Sequence, residues 1–267
     1  MRTLGALVRA CHPGPTVAVT SIAILLGVSV QLSPNLLALV GVTVLVGQLS
    51  IGWSNDWLDA ARDVAAERSD KPTATGKVTP VTLRLASFWS AGVSVPLSLI
   101  VGWSGAWHLL LVVSGWAYNL GVKRSPWSPL PYALGFGALP IYVTAVAEQK
   151  VQWWLPVAGG LLGVAAHFAN AAPDVAQDRE LGVLGLPQRI GARGSLVVAL
   201  VILGCAGGLL LTQGGLSGWG LALGGVLVAL PVIAGSSFVM RGRIDRPAFT
   251  VVMVAAVVDV ALLVIAA

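Results

Sequence analysis

Nine times along this chain an apolar run, close to the roughly 20 residues that carry a helix across a bilayer, ends at a short gap rich in Gly, Pro, Ser or Asn. The runs fall at about 16–32, 36–54, 81–101, 105–121, 129–147, 153–172, 195–213, 217–239 and 248–266. Only 10% of the residues are charged, against about 25% in soluble domains. In lipid a backbone must satisfy its own polar groups, and a helix does so within one segment. The pattern therefore predicts an all-α polytopic membrane protein with nine transmembrane helices. Its 32 Gly and 15 Pro suit membrane helices that pack closely. Arg2 and Arg9 before the first run imitate a secretory leader, but no small-residue cleavage site follows and further spans do, so the first run is read as retained.

Nine crossings put the termini on opposite sides, and the basic residues then segregate. Arg2, Arg9, Arg62, Arg68, Lys71, Lys77, Arg84, Lys123, Arg124, Arg179, Arg189, Arg193, Arg241, Arg243 and Arg246 fall on one side, and Lys150 alone on the other. The positive-inside rule makes the crowded side cytoplasmic. The expectation is an integral plasma-membrane protein with a cytoplasmic N-terminus and an outer C-terminus. This distribution also explains the net charge of +5 without a nucleic-acid partner. Trp103, Trp107, Trp153, Trp154 and Trp219 read as an outer aromatic belt, and Trp53, Trp57 and Trp127 as an inner one. Cys11 and Cys205 lie too far apart in this scheme for a disulfide, and both read as small core residues.

Acidic residues are scarce, eleven in 267, and five of them concentrate where two apolar runs end. Asn55, Asp56, Asp59 and Asp63 are spaced three and four apart, as are Asp174 and Asp178. On a helix each set shares a face. Such carboxylates are costly beside a bilayer unless paired, hydrated or metal-bound. Mg²⁺ is a hard ion that takes oxygen ligands and shares them with substrate phosphates. Arg62, Arg68 and Lys71 could instead pair with the first set, and Arg179 and Arg189 with the second. The two sets end runs two and six, and basic pairs follow runs four and eight. Four helices per unit is an even number, so the pattern suggests two parallel four-helix halves, about 1–125 and 126–246, with a ninth helix at 247–267 around one central cavity.

The string Asn55-Asp56-x-x-Asp59-x-x-x-Asp63 resembles the first motif of the UbiA family of intramembrane prenyltransferases, and Glu67-Arg68-Ser69-Asp70-Lys71-Pro72 resembles the stretch that follows it. Asp174-x-x-x-Asp178-Arg179, with Leu181-Gly182 and Leu186-Pro187 through Gly191, is similar to the second motif and its tail. That motif often opens Asn-Asp, whereas this chain reads Asn170-Ala171. Arg9 to Pro13 resembles the family's opening, and Tyr118 with Lys123-Arg124 the segment after helix four. Tyr118 and Lys123 are five apart, where about four is expected.

The resemblance implies a cytoplasm-facing cavity, Mg²⁺ as cofactor, and transfer of a prenyl group from a prenyl diphosphate to an aromatic or other apolar acceptor. It implies Asn55, Asp56, Asp59, Asp63, Asp174 and Asp178 as metal ligands, with Asp59, Asp63, Asp174 and Asp178 catalytic. It also implies Asn55, Arg68, Lys71, Tyr118, Lys123, Arg124 and Asn170 as substrate-binding residues. Phosphoribosyl transfer onto a polyprenyl phosphate, or carriage of an anionic substrate, are the alternatives. His108 and His167 read as packing residues, Tyr142 likewise. Asp259, inside the ninth run, is expected to have a buried partner. Oligomeric state, prenyl length and acceptor are not written in the sequence.

Overall fold

The computed structural model describes residues 2–242 and 246–267, so Arg243 lies outside the described residues. Among the described residues the secondary structure is entirely helical: α1 (Arg2–Ala10), α2 (Pro13–Ser29), α3 (Pro34–Ala65), α4 (Pro80–Leu99), α5 (Gly105–Leu120), α6 (Leu130–Val146), α7 (Trp154–Ala171), α8 (Val175–Glu180), α9 (Leu186–Gln213), α10 (Gly218–Met240) and α11 (Arg246–Ala266). Each of the nine apolar runs falls on one of these helices. Starts follow local chemistry. Pro13, Pro34, Pro80 and Pro187 sit in first turns, where the missing N–H costs nothing. Ser33 and Thr79 cap α3 and α4 through their hydroxyls.

Helix α3 and the 154–180, α9, α10 and α11 segments are each long and apolar enough to cross a bilayer, and α1 with α2 forms a sixth candidate bent by 70°. The chain is an integral membrane protein. Helix α1 was not among the expected elements. Ala6 and Ala10 on one side of it pack with Val78 and Leu83, against Leu7, Trp53 and Trp57. The bend follows Cys11-His12, where Pro13 cannot continue the α1 ladder.

Contacts divide the chain into two compact units. The first comprises Met1–Gly121 and Tyr142–Gln149, the second Val122–Ile141 and Lys150–Ala267. In the first, α3 is the hub, packed by α1, α2, α4 and α5. Gly52 on α3 lets the α1–α2 corner approach closely: a Cβ there would stand 2.2 Å from the Cys11 carbonyl oxygen. In the second, α9 is the hub for α7, α8, α10 and α11. Gly159 and Gly163 of α7 press onto the backbone of residues 132–136, where added Cβ atoms would lie 2.5 Å from the Phe136 and Tyr132 carbonyl oxygens. Small residues at such spacing bring membrane helices together by van der Waals contact.

Several expectations are corrected. Cys11 is buried, but Cys205 is exposed and is no core residue. Trp154, expected in the outer aromatic belt, is buried inside the second unit. Asp259 is buried, yet its Oδ2 has no hydrogen-bond partner among the described residues. Gly207 makes room for it, with Asp259 Oδ1 2.8 Å from where a Cβ would sit. His108 and His167 are packing residues, hydrogen-bonded to Ser98 at 2.7 Å and to Ser128 at 3.0 Å. Tyr142 is fully buried in packing, as expected.

Candidate functional site

Helix α3 runs unbroken through both its apolar half and the acidic string, so the three-and-four spacing places Asp56, Asp59 and Asp63 along one side. All three are buried, at 1%, 6% and 3% exposure. Burying carboxylates demands compensation, and the first unit supplies it from three directions. Lys71, brought back by the turn after α3, donates from Nζ to Asp56 Oδ1 at 2.6 Å. His12, at the α1–α2 corner, meets the same oxygen through Nε2 at 2.8 Å. Arg62 reaches back one turn to Asp59 Oδ2 at 2.7 Å. The expected pairing of the first set with basic neighbours is thus present for Arg62 and Lys71.

His12 holds left-handed backbone angles, φ 56° and ψ 69°, which cost a residue with a Cβ about 1–2 kcal/mol. Its bond to Asp56 offsets that cost. Trp53 Nε1 donates to the Leu7 carbonyl at 2.9 Å, and Thr16 Oγ1 to the Cys11 carbonyl at 2.7 Å, so the corner is tied on both sides.

Arg68 pairs with Asp70, two residues further along the turn that follows α3. Its guanidinium grips Asp70 with two bonds of 2.9 Å. That fork holds the Asp70 carboxyl below the usual carboxylate range.

Asn55 is half-buried and donates from Nδ2 to Asn119 Oδ1 at 2.9 Å. Asn119, buried on α5, in turn donates from Nδ2 to the Ile51 carbonyl at 2.9 Å and to Ser54 Oγ at 2.8 Å. Sequence reasoning missed Asn119. The available signal was its place beside Tyr118, an amide in an otherwise apolar run. Tyr118 itself is half-buried.

The second unit departs from the expected single helical face. After α7, a 3₁₀ turn over Ala172–Asp174 intervenes before α8. The reason is Pro173, which has no N–H to donate and whose ring clashes with the carbonyl four residues back. Asn170 and Asp174 are exposed, and Asp178 is half-buried. Asp178 Oδ2 accepts from Gln188 Nε2 at 2.8 Å. Arg179 donates to the Gln188 and Arg189 carbonyls, and Arg189 to the Leu184 carbonyl at 2.8 Å, so both arginines brace the backbone around the acids. Lys123 is buried in a 3₁₀ turn and Arg124 exposed.

Among the described residues no three His, Cys, Asp or Glu side chains are gathered closely enough to hold a metal ion. In the first unit Lys71 and His12 take up one oxygen of Asp56, and Arg62 one oxygen of Asp59. The donors nonetheless fit Mg²⁺ in kind. All are oxygens, and Asp56 Oδ2 and Asp63 Oδ2 are buried without a hydrogen-bond partner among the described residues. An orphaned buried carboxylate oxygen is expensive in a finished structure, and a hard cation would satisfy it.

Comparison with known proteins adds three findings. Residues 16–258 match the UbiA prenyltransferase family. The bacteriochlorophyll synthase 33 kDa chain of Rhodobacter capsulatus is 29% identical over 193 residues, which is 64% of this chain and 61% of that one, so the match spans about three fifths of the relative's length. Two solved structures share the fold. One is an apo UbiA homolog from Aeropyrum pernix K1, with TM-score 0.73, 17% identity, and coverage of 93% of this chain and 96% of that. The other is a UbiA homolog from Archaeoglobus fulgidus bound to GPP and Mg²⁺, with TM-score 0.73, 14% identity, and coverage of 98% and 100%.

Proposed function

This chain belongs to the UbiA prenyltransferase family, and we propose that it moves a prenyl group from a prenyl diphosphate to an apolar or aromatic acceptor within the membrane, with Mg²⁺ as cofactor. The observation that carries this reading is the pair of buried, unpartnered carboxylate oxygens on Asp56 and Asp63, one turn either side of Asp59 on the motif helix. Asn55, Asp56, Asp59 and Asp63 would hold metal, as would Asp174 and Asp178 of the second motif. Bound Mg²⁺ would neutralise the diphosphate and make it a better leaving group.

The chain's own residues do the rest. Arg68, Lys71 and Tyr118 of the first unit, and Lys123, Arg124 and Asn170 of the second, would bind substrate, the cationic side chains through diphosphate oxygens. When the allylic C–O bond breaks, its electron pair leaves with diphosphate. The acceptor's electron pair then forms the new bond, and the acceptor gives up a proton. The reaction requires that water be kept from the cation until the acceptor attacks. In this reading α2–α7 and α9–α11 are the nine helices that cross the plasma membrane, with the N-terminus and site cytoplasmic and the C-terminus outside. The basic-residue segregation supports that orientation.

The test is diphosphate release from geranyl or longer prenyl diphosphates by purified protein, with Mg²⁺ and a membrane lipid extract as acceptor source. Mass analysis of the extract identifies the prenylated product. Release should vanish with EDTA and with Asp59→Ala or Asp178→Ala. Turnover of a phosphoribosyl diphosphate in place of the prenyl donors, or activity that survives both substitutions, would sink the assignment.

A further inference from the structure

The hydrogen-bond network around Asn119 fixes something that the motif alone leaves open: which end of the Asn55 amide is free. An amide group has one accepting oxygen and one donating nitrogen, and only the oxygen can serve a hard cation. Ser54 Oγ donates its proton to the Ile51 carbonyl at 2.8 Å. Toward Asn119 that hydroxyl can therefore only accept, and the Ile51 carbonyl can never do otherwise. Both lie within 2.9 Å of the same Asn119 atom. That atom must be Nδ2, since an oxygen there would face two acceptors at contact distance. Asn119 Oδ1 consequently points at Asn55, and Asn55 must answer with its own Nδ2, at 2.9 Å. Among the described residues only the nitrogen end of the Asn55 amide is held, and its oxygen is the other end. Asn119 is buried at 5% exposure, where a mismatched amide would cost more than at the surface.

We propose that Asn119 is a positioning residue that locks the Asn55 amide with its oxygen presented to the divalent cation. This rests on the functional reading above, because it takes Asn55 as a metal ligand. Without Asn119 the Asn55 amide can turn over and offer its NH₂, which repels a cation. Outer partners that orient metal ligands carry this kind of weight: losing one typically weakens metal binding about 10- to 100-fold.

The test is Mn²⁺ binding to the full-length protein in detergent, read by the EPR signal of free Mn²⁺, alone and with inorganic pyrophosphate. Asn119→Leu should raise the Mn²⁺ dissociation constant at least about ten-fold. The distinguishing arm is Asn55→Asp. A carboxylate offers oxygen at both ends, so orientation no longer matters, and the double variant Asn55→Asp/Asn119→Leu should recover most of the lost affinity. Asn55→Asp alone should bind weakly, because it sets a carboxylate oxygen against Asn119 Oδ1. If Asn119→Leu does not fold, Asn119→Ala reads the same cycle with a smaller change. A residue that merely staples α3 to α5 would not be rescued from position 55. Failure of rescue, or wild-type affinity in Asn119→Leu, overturns the assignment while leaving the enzyme reading intact. No Mn²⁺ binding by the wild type overturns both.

Discussion

Replacing Gly52 by Ala tests how the N-terminal corner reaches the acidic helix. The added Cβ would lie 2.2 Å from the Cys11 carbonyl oxygen, 2.6 Å from its carbon and 2.8 Å from its Cα. These are backbone atoms, so no side chain can swing aside. Relief to the ~3.5 Å at which non-bonded atoms begin to attract moves the corner more than about 1 Å. His12 is the next residue, and its 2.8 Å contact with Asp56 does not survive that shift. Overpacking costs about 1–3 kcal/mol, and loss of a hydrogen bond to a charged group about 1.5 kcal/mol or more. We expect Gly52→Ala to lose about 3 kcal/mol in all. Reversible unfolding in mixed micelles measures it, on wild type, Gly52→Ala, His12→Ala and the double variant. The double variant should be hardly less stable than Gly52→Ala alone, because the His12 bond is already gone. Additive losses would mean that the corner stays seated and the argument fails, as would wild-type stability in Gly52→Ala.

Three further outcomes follow from the same geometry. Lys71→Met removes the 2.6 Å donor to Asp56 and should lower stability without divalent ions by roughly 1.5–3 kcal/mol; added Mg²⁺ should then raise the melting temperature more than in wild type, and an equal rise counts against metal at Asp56. Asp259→Leu exchanges a buried carboxyl with an unpartnered oxygen for apolar volume, so stability should hold or rise; a clear loss in thermal unfolding would show that the acid has a partner. The Arg68–Asp70 clip is pH-dependent. The folded Asp70 pKa lies below its unfolded value of 3.8, so its contribution is complete above that value and fades as pH falls through the lower folded one. Asp70 is largely exposed, so the effect is small, and Asp70→Asn should flatten that part of the stability–pH curve.

Hydropathy and spacing were enough to read the chain as an all-helical membrane protein, because a bilayer leaves a backbone almost no other way to satisfy itself. They were also enough to set Asp56, Asp59 and Asp63 on one side of α3, because helix periodicity is local. Where periodicity was interrupted the reading slipped: Pro173 turned the second acidic set through a 3₁₀ segment, and α1, too short for a span, went unseen. Tertiary structure alone decided the pairings between distant helices. His12 meets Asp56 across 44 residues and Asn119 meets Asn55 across 64, and no local rule carries information over such distances. Those pairings depend on how closely helices approach, which a missing Cβ at Gly52 controls as much as any charge. Asp259 shows the converse, since an acid within an apolar run suggested a partner, and among the described residues its Oδ2 has none. Charge and period are properties of a segment, but a hydrogen bond between helices exists only once both backbones are fixed.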